Sequence, residues 1–214
     1  EAAVDILRKK GQKVAAKRAD RDATEGAVIA KTNGADKGAV IKLSCETDFV
    51  AKNENFVALA NKIADIALAS GVSTAEELGA VEFEGGLTVA AKLQEQTGVI
   101  GEKIEVAEMA TVSAPYVASY IHMGNKIGTL VGLTAEAAEA GRDVAMQAAA
   151  MNPVALNRDA VSQEVIDREL EVGKDLARQE GKPEEMLEKI ATGRLNKFFK
   201  ENTLVDQDFI KDSK

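Results

Sequence analysis

Stretches rich in β-branched residues alternate along this chain with stretches whose apolar residues recur every three or four positions. The first β-rich stretch runs from Thr24 to Thr32, turns at Asn33-Gly34 and continues from Gly38 to Cys45. A short loop follows, then an amphipathic helix from about Asn53 to Ser70 with Phe56, Leu59, Ile63 and Ile66 on one stripe. The same order of signals returns later. Tyr116 to His122 leads into Met123-Gly124-Asn125, Ile127 to Leu133 follows, and a helix is expected from about Glu136 to Met151. Each unit is a hairpin with Gly/Asn turn chemistry feeding a helix. A hairpin and one helix cannot close a core alone. The pattern therefore calls for a further strand at Ile104 to Ser113 in the second unit, and a short helix at Leu87 to Gln96 near the first. The expected fold class is α+β, with two similar subdomains of antiparallel sheet and packed helices.

A third region has a different rhythm. Asn152-Pro153 ends the preceding helix. Ser162 to Gln179 is highly charged and helical, with Ile166, Leu170, Gly173 and Ala177 stepping along one face. Gly181-Lys182-Pro183 makes a turn, Pro183 suiting a first helical position. A second helix runs from about Glu184 to Glu201, with Leu187, Ala191, Leu195 and Phe198 on its stripe. Two such helices predict an antiparallel hairpin with arms of about 27 Å, from 1.5 Å of rise per residue. So much charge suggests that it projects as a two-helix coiled coil. The expected division is 1–22 as helix and linker, 23–101 and 102–160 as the two subdomains, 161–202 as the hairpin, and 203–214 returning to the second subdomain.

Composition narrows the function. Hydrophobic residues make up 45% of the 214, enough for a core, but aromatics are only 4% with no Trp, so that core must be aliphatic. The longest apolar runs, such as Ile63 to Ala69, are interrupted by charge and too short to cross a bilayer. A net charge of −8 argues against a chain that coats nucleic acid. The exception is the acid-free segment Arg8 to Arg18, which is either a nucleic-acid or ribosome-facing patch or a solvated basic helix face. Cys45 is the only cysteine, which excludes an intramolecular disulfide and a Cys-based zinc site, and points to the cytoplasm or an organelle matrix. The chain opens at Glu1, without Met, in an already helical pattern (Ala2, Ile6, Leu7), as a product that has lost an N-terminal piece would.

Little in the sequence supports bond-breaking chemistry. A phosphate loop needs Ser or Thr after Gly-Lys, and neither Gly173-Lys174 nor Gly181-Lys182 has one. With a single histidine, His122, no multi-His metal site forms, and no cofactor is implied. A nucleophilic Cys45–His122 pair is the residual enzyme reading.

The most unusual local sequence is Cys45-Glu46-Thr47-Asp48-Phe49-Val50-Ala51-Lys52, a connection between strand and helix. Two readings stand side by side. Phe49 and Val50 staple the coming helix to the sheet while Asp48 caps it, or Asp48 and Phe49 form a protruding acid-plus-aromatic wedge.

Glu46 to Asn53 resembles the signature of the elongation factor Ts family, the exchange factors for the GTPase elongation factor Tu. Ile100-Gly101-Glu102, Ser119-Tyr120-Ile121-His122 with Lys126-Ile127-Gly128, and the Gly181-Lys182-Pro183 tip follow in that family's order. The resemblance covers essentially the whole chain. It implies a non-enzymatic guanine-nucleotide exchange factor whose Thr47, Asp48, Phe49 and Val50 press in beside the partner's Mg²⁺ and phosphate site. It further implies that Ile100 and Gly101 touch the partner's GTPase domain and that His122 meets another part of it. No direct nucleotide binding by this chain is implied, and whether it forms a homodimer is left open. The family normally opens with a three-helix domain; Ala2 to Gly11 look like its last helix, so weaker partner binding is expected. Two other readings are a non-catalytic adaptor, which would bind a partner without altering nucleotide release, and a thiol enzyme using Cys45.

Overall fold

The computed structural model describes residues 11–212. Most of the helix expected over Ala2 to Gly11, and Arg8, Lys9 and Lys10 of the basic segment, lie outside them. The described residues form two compact units, one up to Ala149 and one from Ala150 onward.

The first unit opens with helix α1 (11–18). Strands β1 (Glu25–Thr32) and β2 (Lys37–Cys45) pair antiparallel in continuous register from Glu25 opposite Cys45 to Thr32 opposite Gly38. Helix α2 (Asp48–Ala51) is one turn, and α3 (Glu54–Ser70) begins at the cap Asn53 and ends at left-handed Gly71. Then come α4 (Ala75–Ala80), the small hairpin β3 (Glu82–Glu84) and β4 (Leu87–Thr88), and α5 (Val89–Ile100). Strand β5 (Glu105–Ser113) precedes the second hairpin, β6 (Tyr116–His122) and β7 (Ile127–Leu133), which feeds α6 (Ala138–Met151).

One expectation is corrected here. The strand assigned to the second hairpin, β5, pairs with β2, giving a three-stranded sheet in the order β1-β2-β5 and leaving β6-β7 as a two-stranded sheet. The physical reason is how the hairpin completes its burial. It lies on the outer face of the larger sheet: a Cβ on Gly128 would come within 2.7 Å of Val28 Cγ1, and one on Gly38 within 2.8 Å of Val117 Cγ1. The second hairpin is thus closed by face-to-face packing rather than by a third strand, with small residues allowing the close approach. On its far side, Thr129 Oγ1 donates to the Ala145 carbonyl of α6 at 2.7 Å.

The inner face of the sheet carries the core. Strand alternation turns Ala27, Ile29, Ala39, Ile41, Leu43 and Cys45 toward α3, which answers with Phe56, Ala60, Ile63, Ala64 and Ala67. This aliphatic packing, rich in Ala, is what a chain nearly without aromatics can build.

The second unit holds α7 (Gln163–Gln179), capped by Ser162, and α8 (Glu184–Asn202), joined by residues 180–183. Pro183 stands at the cap position of α8, one residue ahead of the expected first turn. Gly173 and Ala177 of α7 are buried, as are Leu187 and Ala191 of α8, and a Cβ on Gly173 would sit 3.1 Å from Ala191 Cα. The helices therefore pack in antiparallel order at close range. Beyond α8 the chain returns to 155–156, where Thr203 bridges Ala155 and the Val205 amide donates to the Leu156 carbonyl.

Candidate partner-binding site

The signature segment begins where β2 stops. Cys45 is fully buried, and its thiol donates to the Thr47 carbonyl at 3.2 Å. Thr47 caps α2, its hydroxyl accepting from the Val50 amide at 3.5 Å, and Ala51 is buried beneath. Thr47, rather than Asp48, is the N-cap, because its extended backbone places its side chain over the first turn. Asp48 is the first helical residue, where a carboxylate suits the exposed amides, and it pairs with Lys52 at 2.7 Å. The Lys52 hydrogen bond holds the Asp48 carboxyl below its ordinary value, with Lys126 a lesser contributor.

Between the two readings of this segment, the structure separates Val50 from Phe49. Val50 is half-buried and packs against the core. Phe49 is 84% exposed, pointing away from it. An aromatic ring so exposed on an ordered turn is a poor staple and a good anchor for something else.

The loop carrying this ring is held by two carboxylates. Glu102 Oε2 accepts from the Glu46 and Thr47 amides, each at 3.0 Å, and Oε1 accepts from the Thr47 hydroxyl at 2.7 Å. Glu46 Oε1 in turn accepts from the Lys103 amide at 2.7 Å. One Arg18 guanidinium nitrogen lies 2.7 and 2.8 Å from the two Glu46 oxygens. The Lys103 amide first and then Arg18 hold the Glu46 carboxyl below the usual carboxylate range. The last residue of the basic segment is thus committed to an ion pair within the fold. Gly101, at φ 84°, ends α5 in the left-handed conformation and turns the chain so that Glu102 faces the loop.

Phe49, Val50 and Phe56 line one side of a groove of ≈ 420 Å³, and Gln96, Val99 and Ile100 line the other. The groove brings Phe49 and Val50 together with Ile100, while Thr47, Asp48 and Gly101 do not line it, and Val99, 71% exposed, adds apolar surface that no motif had singled out. His122 does not line this groove. It ends β6 opposite Ile127, half-buried, with Nδ1 3.1 Å from the Tyr120 hydroxyl. Burial, and then the Glu102 charge, push the Cys45 thiol up to about 11. A thiol so raised stays protonated near neutrality, and Cys45 is packed within the core. Sequence reasoning missed the roles of Glu102, Glu46 and Arg18, although two of the three lie inside quoted motifs.

The site is thus an apolar ring exposed to solvent on a turn whose backbone is held by carboxylates. The comparisons with known proteins give the family. A family model described as Elongation factor TS matches residues 46–214. The chain is 58% identical to an elongation factor Ts from Christiangramia forsetii, over all of this chain and 78% of that protein. The corresponding protein of Flavobacterium psychrophilum is 55% identical over the same shares, and that of Chlorobaculum tepidum 44% identical over 99% of this chain and 77% of its own length. The chain belongs to the elongation factor Ts family and is a translation elongation factor. Among the described residues, no helix is long and apolar enough to cross a membrane.

Proposed function

We propose that this protein is a guanine-nucleotide exchange factor that binds elongation factor Tu in the bacterial cytoplasm and promotes GDP release, without bond-breaking chemistry of its own. The observation that carries the reading is Phe49, 84% exposed beside Asp48 on a turn whose backbone is fixed by Glu102. Thr47, Asp48, Phe49 and Val50 form the wedge. Ile100 and Gly101 extend the contact along the groove, and His122 serves a separate part of the interface.

The mechanism follows from what the partner must hold. Mg²⁺ requires near-ideal octahedral geometry, so a small displacement of its supporting elements weakens both metal and nucleotide. The wedge supplies that displacement from binding free energy. Weakening GDP about 10⁴-fold requires roughly 5.5 kcal/mol of differential binding. A buried aromatic anchor contributes about 2 kcal/mol or more, so a few anchors suffice. The coupling is reciprocal: the factor loosens GDP, and incoming nucleotide loosens the factor by the same free energy.

Release of a fluorescent GDP analogue from elongation factor Tu, followed by stopped flow, tests this reading. Release is expected to accelerate with added protein and to be blunted by Phe49→Ala and Asp48→Ala. Binding with no acceleration would leave a non-catalytic adaptor in its place.

A further inference from the structure

Resting on the exchange reading, we infer that Glu102 is the positioning residue of the wedge, the group that fixes the direction in which Asp48 and Phe49 face the partner GTPase. A one-turn helix such as α2 has too few internal hydrogen bonds to hold itself. Its entry is fixed from outside. The donors immediately before it, the Glu46 and Thr47 amides, both end on Glu102 Oε2, and the Thr47 hydroxyl that caps it donates to Oε1. These bonds are charge-assisted and span 55 or 56 positions of sequence.

The arrangement is reciprocal. While Glu102 satisfies the backbone of the 46–47 loop, Glu46 satisfies the backbone of the 102–103 loop through the Lys103 amide. Each loop lends a carboxylate to the other. The segments that bring Phe49 and Ile100 to the groove are thereby tied to each other, with Arg18 bracing Glu46. Glu102 acts through the wedge by removing the freedom that the turn would otherwise lose on binding.

The test uses the full chain with Glu102→Ala, Glu102→Gln, Phe49→Ala and the double variant Glu102→Ala/Phe49→Ala. In Glu102→Ala, amide hydrogen exchange at Glu46 and Thr47 is expected to speed by at least about tenfold while Ile41 and Leu43 of β2 keep their protection. The limiting rate of fluorescent GDP release from the partner GTPase is expected to fall about tenfold. Glu102→Gln is expected to recover most of both losses, because its carboxamide oxygen accepts the two amides and its NH₂ can meet the Thr47 hydroxyl. On the Phe49→Ala background, Glu102→Ala is expected to slow release by clearly less than it does in the wild type, because only Asp48 is left to be misplaced. A multiplicative loss in the double variant, or unchanged exchange at Glu46 and Thr47 in Glu102→Ala, would overturn the positioning role. If the wild type itself does not accelerate release, the exchange reading falls and takes the positioning role with it; if Phe49→Ala releases at the wild-type rate, exchange stands but the wedge and its positioning residue fall. The amide measurement then reports the clamp separately from that failure.

Discussion

Two apolar side chains, Phe49 and Met123, stand in solvent on neighbouring motifs of the first unit, and they are presented in opposite ways. Phe49 sits on a backbone of ordinary conformation, anchored by side chains from elsewhere in the fold: Glu102 grips the amides before it, and Arg18 and the Lys103 amide grip Glu46. Met123 sits at the tip of the β6-β7 hairpin, 72% exposed, in a run of left-handed residues with φ of 51° at Met123, 60° at Gly124 and 68° at Asn125. That turn is held by backbone conformation and by the Asn125 carbonyl, which accepts from the Val28 amide. A clamped turn can be released by changing a distant carboxylate side chain, whereas the left-handed turn answers chiefly to its own residues and to a backbone contact. The first device suits a group whose direction matters to a partner.

The largest effect is expected from Phe49→Asp. It places a charge where an apolar anchor is to be buried, and should reduce acceleration of GDP release by 100-fold or more, to order of magnitude. Its thermal unfolding should shift little, because Phe49 touches solvent rather than core; a large loss of melting temperature would show that the ring has a structural role. At the other turn, Gly124→Ala should destabilise by about 1 kcal/mol, since the left-handed conformation is costly for a residue with Cβ. No atom lies within 4 Å of the added methyl, so a much larger loss in chemical denaturation would contradict a purely conformational cause.

The clamp also carries a pH dependence. The Glu46 carboxyl titrates lower in the folded protein than in the unfolded chain. Its contribution is therefore present above the ordinary glutamate range and is lost as the pH falls through the lowered folded value. Carboxyl ¹³C titration should place Glu46 below the ordinary glutamate range, and Arg18→Gln should move it upward; a midpoint in the ordinary range would break this half of the clamp. The smallest effect is expected for Met123→Gly. Relief of its left-handed strain is offset by the greater freedom of glycine in the unfolded chain, so stability should change by less than about 0.5 kcal/mol.

Most elements were legible in the sequence because their punctuation is local. Asn33-Gly34 marked the first hairpin, Asn53 and Ser162 start helices where side-chain caps were available, and Asn152-Pro153 stopped α6. The partner of β5 was not legible: its alternation shows that it is a strand but not which edge it joins, and β2 is some 70 residues away. Phe49 was ambiguous for a related reason, since a staple and a wedge use the same residue types in the same order. The exposure of Phe49 speaks against the staple, and Thr47 takes the cap in place of Asp48; Glu102 holds the loop from 55 positions downstream. Contacts of that range leave only residue types in the sequence, and a lone glutamate after Gly101 carries no pairing signal.

In the proposed function, Phe49 acts in displacement rather than in mere attachment. The most direct measurement is the rate of fluorescent GDP release from elongation factor Tu across a concentration series of the wild type and of Phe49→Ala. A wedge predicts a lower limiting rate for Phe49→Ala, about 30-fold for the loss of about 2 kcal/mol, that no excess of protein restores. An unchanged limiting rate, reached only at higher protein concentration, would make Phe49 a binding contact and not a wedge.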